Sequence, residues 1–180
     1  MASGGRRFVA ALACVLALAV VATTAPVAGS TPTRQSASLV ALESGVLQHL
    51  NAIRTRYGLV PLRANRRLAS AAAQHSREMA ADGYFAHDSA DGTSFFTRVA
   101  QWYSSSGFGY WSVGENLLWS APTVDPTRAL SLWMHSPEHR ANILNASWRE
   151  IGVGAVHATA GGTYGNRPVT IITTDFGVRR

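Results

Sequence analysis

Cysteine and lysine are what this chain lacks. Its 180 residues hold one cysteine, Cys14, and all 16 of its basic residues are arginine. Cys14 lies inside an apolar run near the N-terminus, so the domain that follows has no thiol and no disulfide, although export would take it where disulfides are permitted. Its stability must come from a buried core alone. The exclusive use of arginine speaks of a GC-rich genome more than of a function. Charge is sparse too, at 14% of residues against 47% apolar, which is a globular composition. Missing as well are an internal repeat, a G-x-S-x-G nucleophile elbow and any cluster of arginines interleaved with aromatics. The last absence argues against specific nucleic-acid binding, and Arg63, Arg66 and Arg67 read as the solvated start of a helix.

What is present begins with Arg6-Arg7 and the apolar run Phe8–Val21, followed by small residues. That run, about 14 residues long, is short for a bilayer span and has the layout of a secretory signal peptide. Residues 1–28 are therefore read as a signal peptide cleaved somewhere in 22–29; the alternative is an uncleaved N-terminal anchor. The expected destination is extracellular or cell-wall associated, with no membrane span left after cleavage. Loss of Arg6 and Arg7 leaves 14 arginines against 10 acidic residues, a modest +4. Residues 29–38 are Ser/Thr/Pro-containing and aperiodic, a linker by composition, and 39–180 form one domain.

Within that domain, Leu39, Leu42, Val46, Leu50, Ile53 and Tyr57 recur at helical steps until Gly58. A second helix, Arg66–Asp82, opens at Asn65, closes at Gly83 and places Leu68, Ala71, Ala72, His75 and Met79 on one side. His75 reads as a hydrogen-bonded core histidine and His49 as exposed. His87 follows two aromatics and precedes the Asp91-Gly92 turn, so its backbone is fixed on both sides. A third, shorter helix within 93–103 places Phe96, Val99 and Trp102 on one side. Glu115 sits in apolar surroundings after Gly114, and a buried carboxylate calls for a cation, a histidine or a metal. Asp125-Pro126 starts a fourth helix. The late strands, around 148–156 and 169–176, pair as an antiparallel meander across a Gly-rich turn.

The stretch 130–156 joins these parts. Ser136-Pro137 ends one helix and opens a short second one carrying His139 in its first turn, and the glycines of Ile151-Gly-Val-Gly-Ala-Val mark a buried strand that something approaches closely. His135, Glu138 and His139 formally match H-x-x-E-H of inverted zinc proteases, but Pro137 breaks the continuous helix that motif needs, so the match is accidental.

Five segments in this order, MAADGYFAHDSADG (79–92), VGENLLW (113–119), LWMHSPEHRANIL (132–144), EIGVGAV (150–156) and TTDFG (173–177), resemble the bacterial, SCP-like branch of the CAP superfamily. The resemblance covers roughly Leu39–Gly177, the body of the domain. It implies an α+β fold, an α-β-α sandwich with a small antiparallel sheet between helical layers. It also implies a central cavity to which His87, Glu115 and His139 contribute, Glu115 and His87 from loops. Where animal and plant members carry a second glutamate, this chain has Ser136, three residues after Trp133. The implied chemistry stays open between two readings. His87, His139 and Glu115 could ligate a divalent ion such as Zn2+, or Glu115 could simply receive hydrogen bonds that tie the structure together. Functionally, the preferred expectation is a secreted, monomeric binding module for a small lipid or cell-wall ligand. The alternative is a metal-assisted hydrolase with Glu115, His87 or His139 as catalytic groups.

Overall fold

The structure, a computed structural model, describes residues 34–180. The segments expected to be a signal peptide (1–28) and the first part of a linker (29–33) lie outside the described residues. Helix α1 spans Arg34–Arg56, so residues 34–38, read from composition as linker, form its first turns. Val46 and Leu50 are fully buried, with Leu39, Leu42 and Ile53 packed beside them. Tyr57 leaves the stripe: it lies past the helix end and is 53% exposed. A buried arginine takes the inward place instead. Arg54 donates to the carbonyls of Ile143 and Asn145 at 2.7 and 3.0 Å.

Four strands form one sheet in the order β1-β3-β4-β2, where β1 is Arg63–Ala64, β2 Trp111–Ser120, β3 Glu150–Ala160 and β4 Arg167–Arg179. Strand β4 runs antiparallel to both neighbours, pairing Ile151 with Phe176 on one side and Glu115 with Asp175 on the other. The expected meander is therefore present, but the sheet is mixed, because the two-residue β1 joins β3 in parallel. Side chains alternate along β4. Ile172, Phe176 and Val178 enter the core shared with α1, while Thr173 accepts from Ser76 on the opposite face.

That opposite face carries α2, Arg66–Asp82. The Asn65 side chain accepts from the amides of Arg67 and Leu68, and Gly83, at φ 71°, closes the last turn. Ala71, Ala72 and Ser76 keep the helix surface low. Opposite them, a Cβ at Gly152 would lie 2.0 Å from Ala69 N, and one at Gly154 2.1 Å from Ala73 N. The partner anticipated for these glycines is thus the main chain of α2. Helix α3, Phe95–Trp102, follows, with Ser94 as its cap. Its inward face is not the expected one. Phe96 and Trp102 are exposed, whereas Arg98 and Val99 are buried.

On the other side, α4 (Pro126–His135) starts at Asp125, whose carboxylate accepts from Arg128 N. Helix α5 is Pro137–Ile143. Ser136 between them is extended and its side chain makes no capping bond, so the two helices are separate and His135 and His139 do not share one helical face. With α2 and α3 on one face and α1 and α4 on the other, the α-β-α sandwich is the architecture observed. Gly154→Ala is expected to lower unfolding stability by about 3 kcal/mol or more, because the methyl meets backbone that no rotamer change can move; urea titration of both proteins measures it.

Candidate functional site

Glu115 is the centre of the site, and it lies in mid-strand of β2 rather than on a loop. Its side chain is fully buried and both oxygens are engaged. His87 Nδ1 donates to Oε1 at 2.8 Å and Arg98 Nη2 donates to Oε2 at 2.6 Å. Since a carboxylate only accepts, the His87 proton on this side is fixed on Nδ1. The His87 side chain is 52% exposed, with its ring against Phe95.

The loop that carries His87 is held by its carbonyls. His75, fully buried on α2, donates from Nε2 to the Ala86 carbonyl at 2.9 Å, and Arg98 Nη2 also donates to the His87 carbonyl at 3.1 Å. Beyond them, Asp88 accepts from Phe95 N and Asp91 from Thr93 N, closing the loop onto α3. The sequence expectation of a backbone fixed on both sides of His87 is met, and His75 is the hydrogen-bonded core histidine it was read to be.

Asp175 is the second carboxyl of the cluster. It stands opposite Glu115 in the β2–β4 register and is completely buried. No protein N–H or hydroxyl reaches either of its oxygens. Burial, and then the adjacent Glu115 charge, push its carboxyl well above the usual carboxylate range. Beside the charged Glu115, the neutral, protonated form of Asp175 is therefore the favoured one. Burial would push Glu115 up as well, but the His87 hydrogen bond and the Arg98 guanidinium outweigh it and hold Glu115 below its ordinary value.

His139 enters from another direction. Helix α5 runs beside the edge strand β2 and is fastened to it by two asparagines. Asn142 Nδ2 donates to the Glu115 carbonyl (3.0 Å) and to Asn116 Oδ1 (2.9 Å), and Asn116 Nδ2 donates to the His139 carbonyl (3.0 Å). Gly114 makes room, since a Cβ there would lie 2.9 Å from the Trp148 ring. Burial and the His87 charge lower the His139 pKa, while hydrogen bonding to Glu115 raises that of His87. The two shifts are opposite in sign, so at any given pH His87 carries the proton more readily than His139. The structure brings His87 and Glu115 into contact and leaves His139 as a neighbour felt through charge, without a hydrogen bond to either.

Sequence reasoning missed Arg98, Asp175, Asn116 and Asn142. The demand of a buried Glu115 for a cation was the one signal available for Arg98; Asp175 was hidden in a β-branched run. The residues do not fit a divalent ion. Both Glu115 oxygens and His87 Nδ1 are already spent, a guanidinium stands beside them, and no group of three His, Cys, Asp or Glu side chains able to hold a metal occurs among the described residues. Away from the cluster, a groove of about 480 Å³ between α1 and α4 is lined by Ile53, Leu130 and Met134.

Residues 47–176 match the family model described as the cysteine-rich secretory protein (CAP) family. The Bacillus subtilis protein YkwD is 35% identical over 129 residues, 72% of this chain and 48% of YkwD. Among solved structures, an extracellular protein containing an SCP domain from Bacillus anthracis is 28% identical at a TM-score of 0.59, over 84% of this chain and 45% of that one. An outer surface protein of Borrelia burgdorferi shares the fold at 18% identity and a TM-score of 0.57, over 75% of this chain and 90% of that one. The chain thus spans about half the length of YkwD.

Three outcomes are expected from the site geometry. Glu115→Gln moves the His87 pKa down, read from its imidazole proton resonances. The charged form of His87 stabilises the fold fully below the ordinary imidazole pKa of about 6.5, and this contribution is lost as pH rises through the raised folded-state value. The melting-temperature margin of wild type over His87→Gln therefore shrinks on going from mildly acidic to alkaline buffer. Asp175→Asn, which keeps a neutral polar side chain of the same size beside Glu115, costs less than about 1 kcal/mol, whereas Asp175→Ala costs about 1–3 kcal/mol in chemical denaturation.

Proposed function

Since the chain belongs to the cysteine-rich secretory protein (CAP) family, we propose that it works outside the cytoplasm as a binding module for a small apolar or cell-envelope ligand. The observation that carries this reading is the engagement of Glu115. A general base needs a carboxylate oxygen open to the water it activates, and here one oxygen is taken by Arg98 and the other by His87. What the cluster offers outward is a half-exposed imidazole at His87 whose pKa is raised, with His139, whose pKa is lowered, near it and the paired rings of Phe95 and Phe96 alongside. That combination suits a ligand with a polar or anionic head and an apolar body. The similarity to an extracellular SCP-domain protein and to an outer surface protein supports action outside the cell, as does the signal-peptide pattern of residues 1–28.

The hydrolase reading remains the second one, because a ligand could displace His87 from Glu115 and free an oxygen. The test uses the purified protein with two probes, isolated peptidoglycan sacculi in a pull-down and vesicles of anionic phospholipid in flotation. His87→Ala/His139→Ala is expected to weaken retention by at least about tenfold, the loss of one or two polar contacts, with the variant still folded at the assay temperature. Equal retention of wild type and double variant by both probes removes the cluster as the binding site. Peptide or ester turnover that disappears in Glu115→Gln, with the fold intact, would replace binding by catalysis.

A further inference from the structure

Arg98 is buried to 2% exposure on a short helix that has no other reason to turn a guanidinium inward. Burying an arginine is costly, so its place must be set by what it meets. One nitrogen, Nη2, serves both the Glu115 carboxylate and the His87 carbonyl, while Nε and Nη1 are buried without partners. Around it lie Glu115, Asp175 directly across the strand pair, and His87 on the far side of the carboxylate. His75 and Glu78 also face this region from α2, as His139 does from α5. Carboxyls and imidazoles are the ligand types that divalent ions take, although among the described residues no three of them are placed to hold one. Here a side chain of the same polypeptide supplies the positive charge.

We infer that the Arg98 guanidinium is the resident cation of this site, neutralising Glu115 and organising His87 in the way a bound divalent ion would, so that the cluster is complete without metal. A guanidinium built into the chain cannot be removed by a chelator. It also does what an ion could not: it grips the main chain of the His87 loop, so charge balance and loop position depend on one side chain. The inference does not depend on which ligand the protein takes.

Zinc is the probe. Chelator-treated wild-type protein is titrated with zinc while melting temperature and imidazole nitrogen resonances are followed. Wild type is expected to show no shift of His87 and no stabilisation that Glu115→Gln removes. Arg98→Met leaves Glu115, Asp175 and His87 without their cation, and it is expected to gain zinc affinity by at least about tenfold over wild type, seen as a zinc-dependent rise in melting temperature. That rise should vanish in Arg98→Met/Glu115→Gln. Arg98→Lys, which restores a cation, should again ignore zinc. If Arg98→Met does not fold alone, zinc is expected to restore folding, and failure to do so counts against the inference. It is overturned outright if wild type binds zinc through His87 in a Glu115-dependent way, or if folded Arg98→Met is as indifferent to zinc as wild type.

Discussion

The site depends on how two acidic side chains share the buried face of a sheet. Glu115 and Asp175 are fixed opposite each other by the β2–β4 ladder, at a spacing where two negative charges could not both persist. The conflict is resolved by one proton and one guanidinium. Burial and the neighbouring Glu115 favour the neutral form of Asp175, and Glu115, which accepts from His87 and Arg98, is favoured as the anion. Removing one partner of such a buried pair typically costs about 3–5 kcal/mol, because the other charge is left without water or counter-ion. The geometry of His87 is secondary to that arrangement: its ring is aimed by Glu115 and its main chain by Arg98 and His75.

His139 belongs to a different mechanical unit. It rides on a seven-residue helix that would be marginal alone. Asn142 and Asn116 hold its inner side to an edge strand, and Arg54 holds its last carbonyls. The asparagine bonds also satisfy a carbonyl that an edge strand would otherwise leave unpaired. One imidazole is therefore placed by the buried charge network, where the Glu115 hydrogen bond raises its pKa, and the other by the sheet edge, where burial and then the His87 charge lower it.

Local signals in the sequence carried far. Asn65 and Gly83 bounded α2 at the observed residues, Asp125-Pro126 began α4, and Pro137 separated the two helices at the H-x-x-E-H match. Tertiary demands were harder to read. In α3, hydropathy favoured Phe96 and Trp102 as the inward face, yet the helix is rotated so that Arg98 can reach Glu115, at the expense of two exposed aromatics. Helical periodicity treats arginine as a surface residue and has no way of weighing an unpaired carboxylate seventeen residues further on. Asp175 was illegible for a related reason: its significance lies wholly in what stands across from it, and register between strands some sixty residues apart is not written in either strand. Ser136 looked like the place where an acid had been lost. The second carboxyl of the cluster comes instead from β4.

The meeting of α2 with Gly152 and Gly154 puts main chain against main chain, with no layer of side chains between. Most helix–sheet junctions are cushioned by rotamers that re-pack when a neighbour changes size, so their separation drifts as sequences diverge. This junction has no such slack. The distance from helix axis to sheet is set by the dimensions of the polypeptide backbone, the same in any sequence that keeps the two glycines. His75, carried on that helix, is thus mounted on a fixed datum, and substitutions elsewhere in the core can accumulate without detuning the loop it steadies.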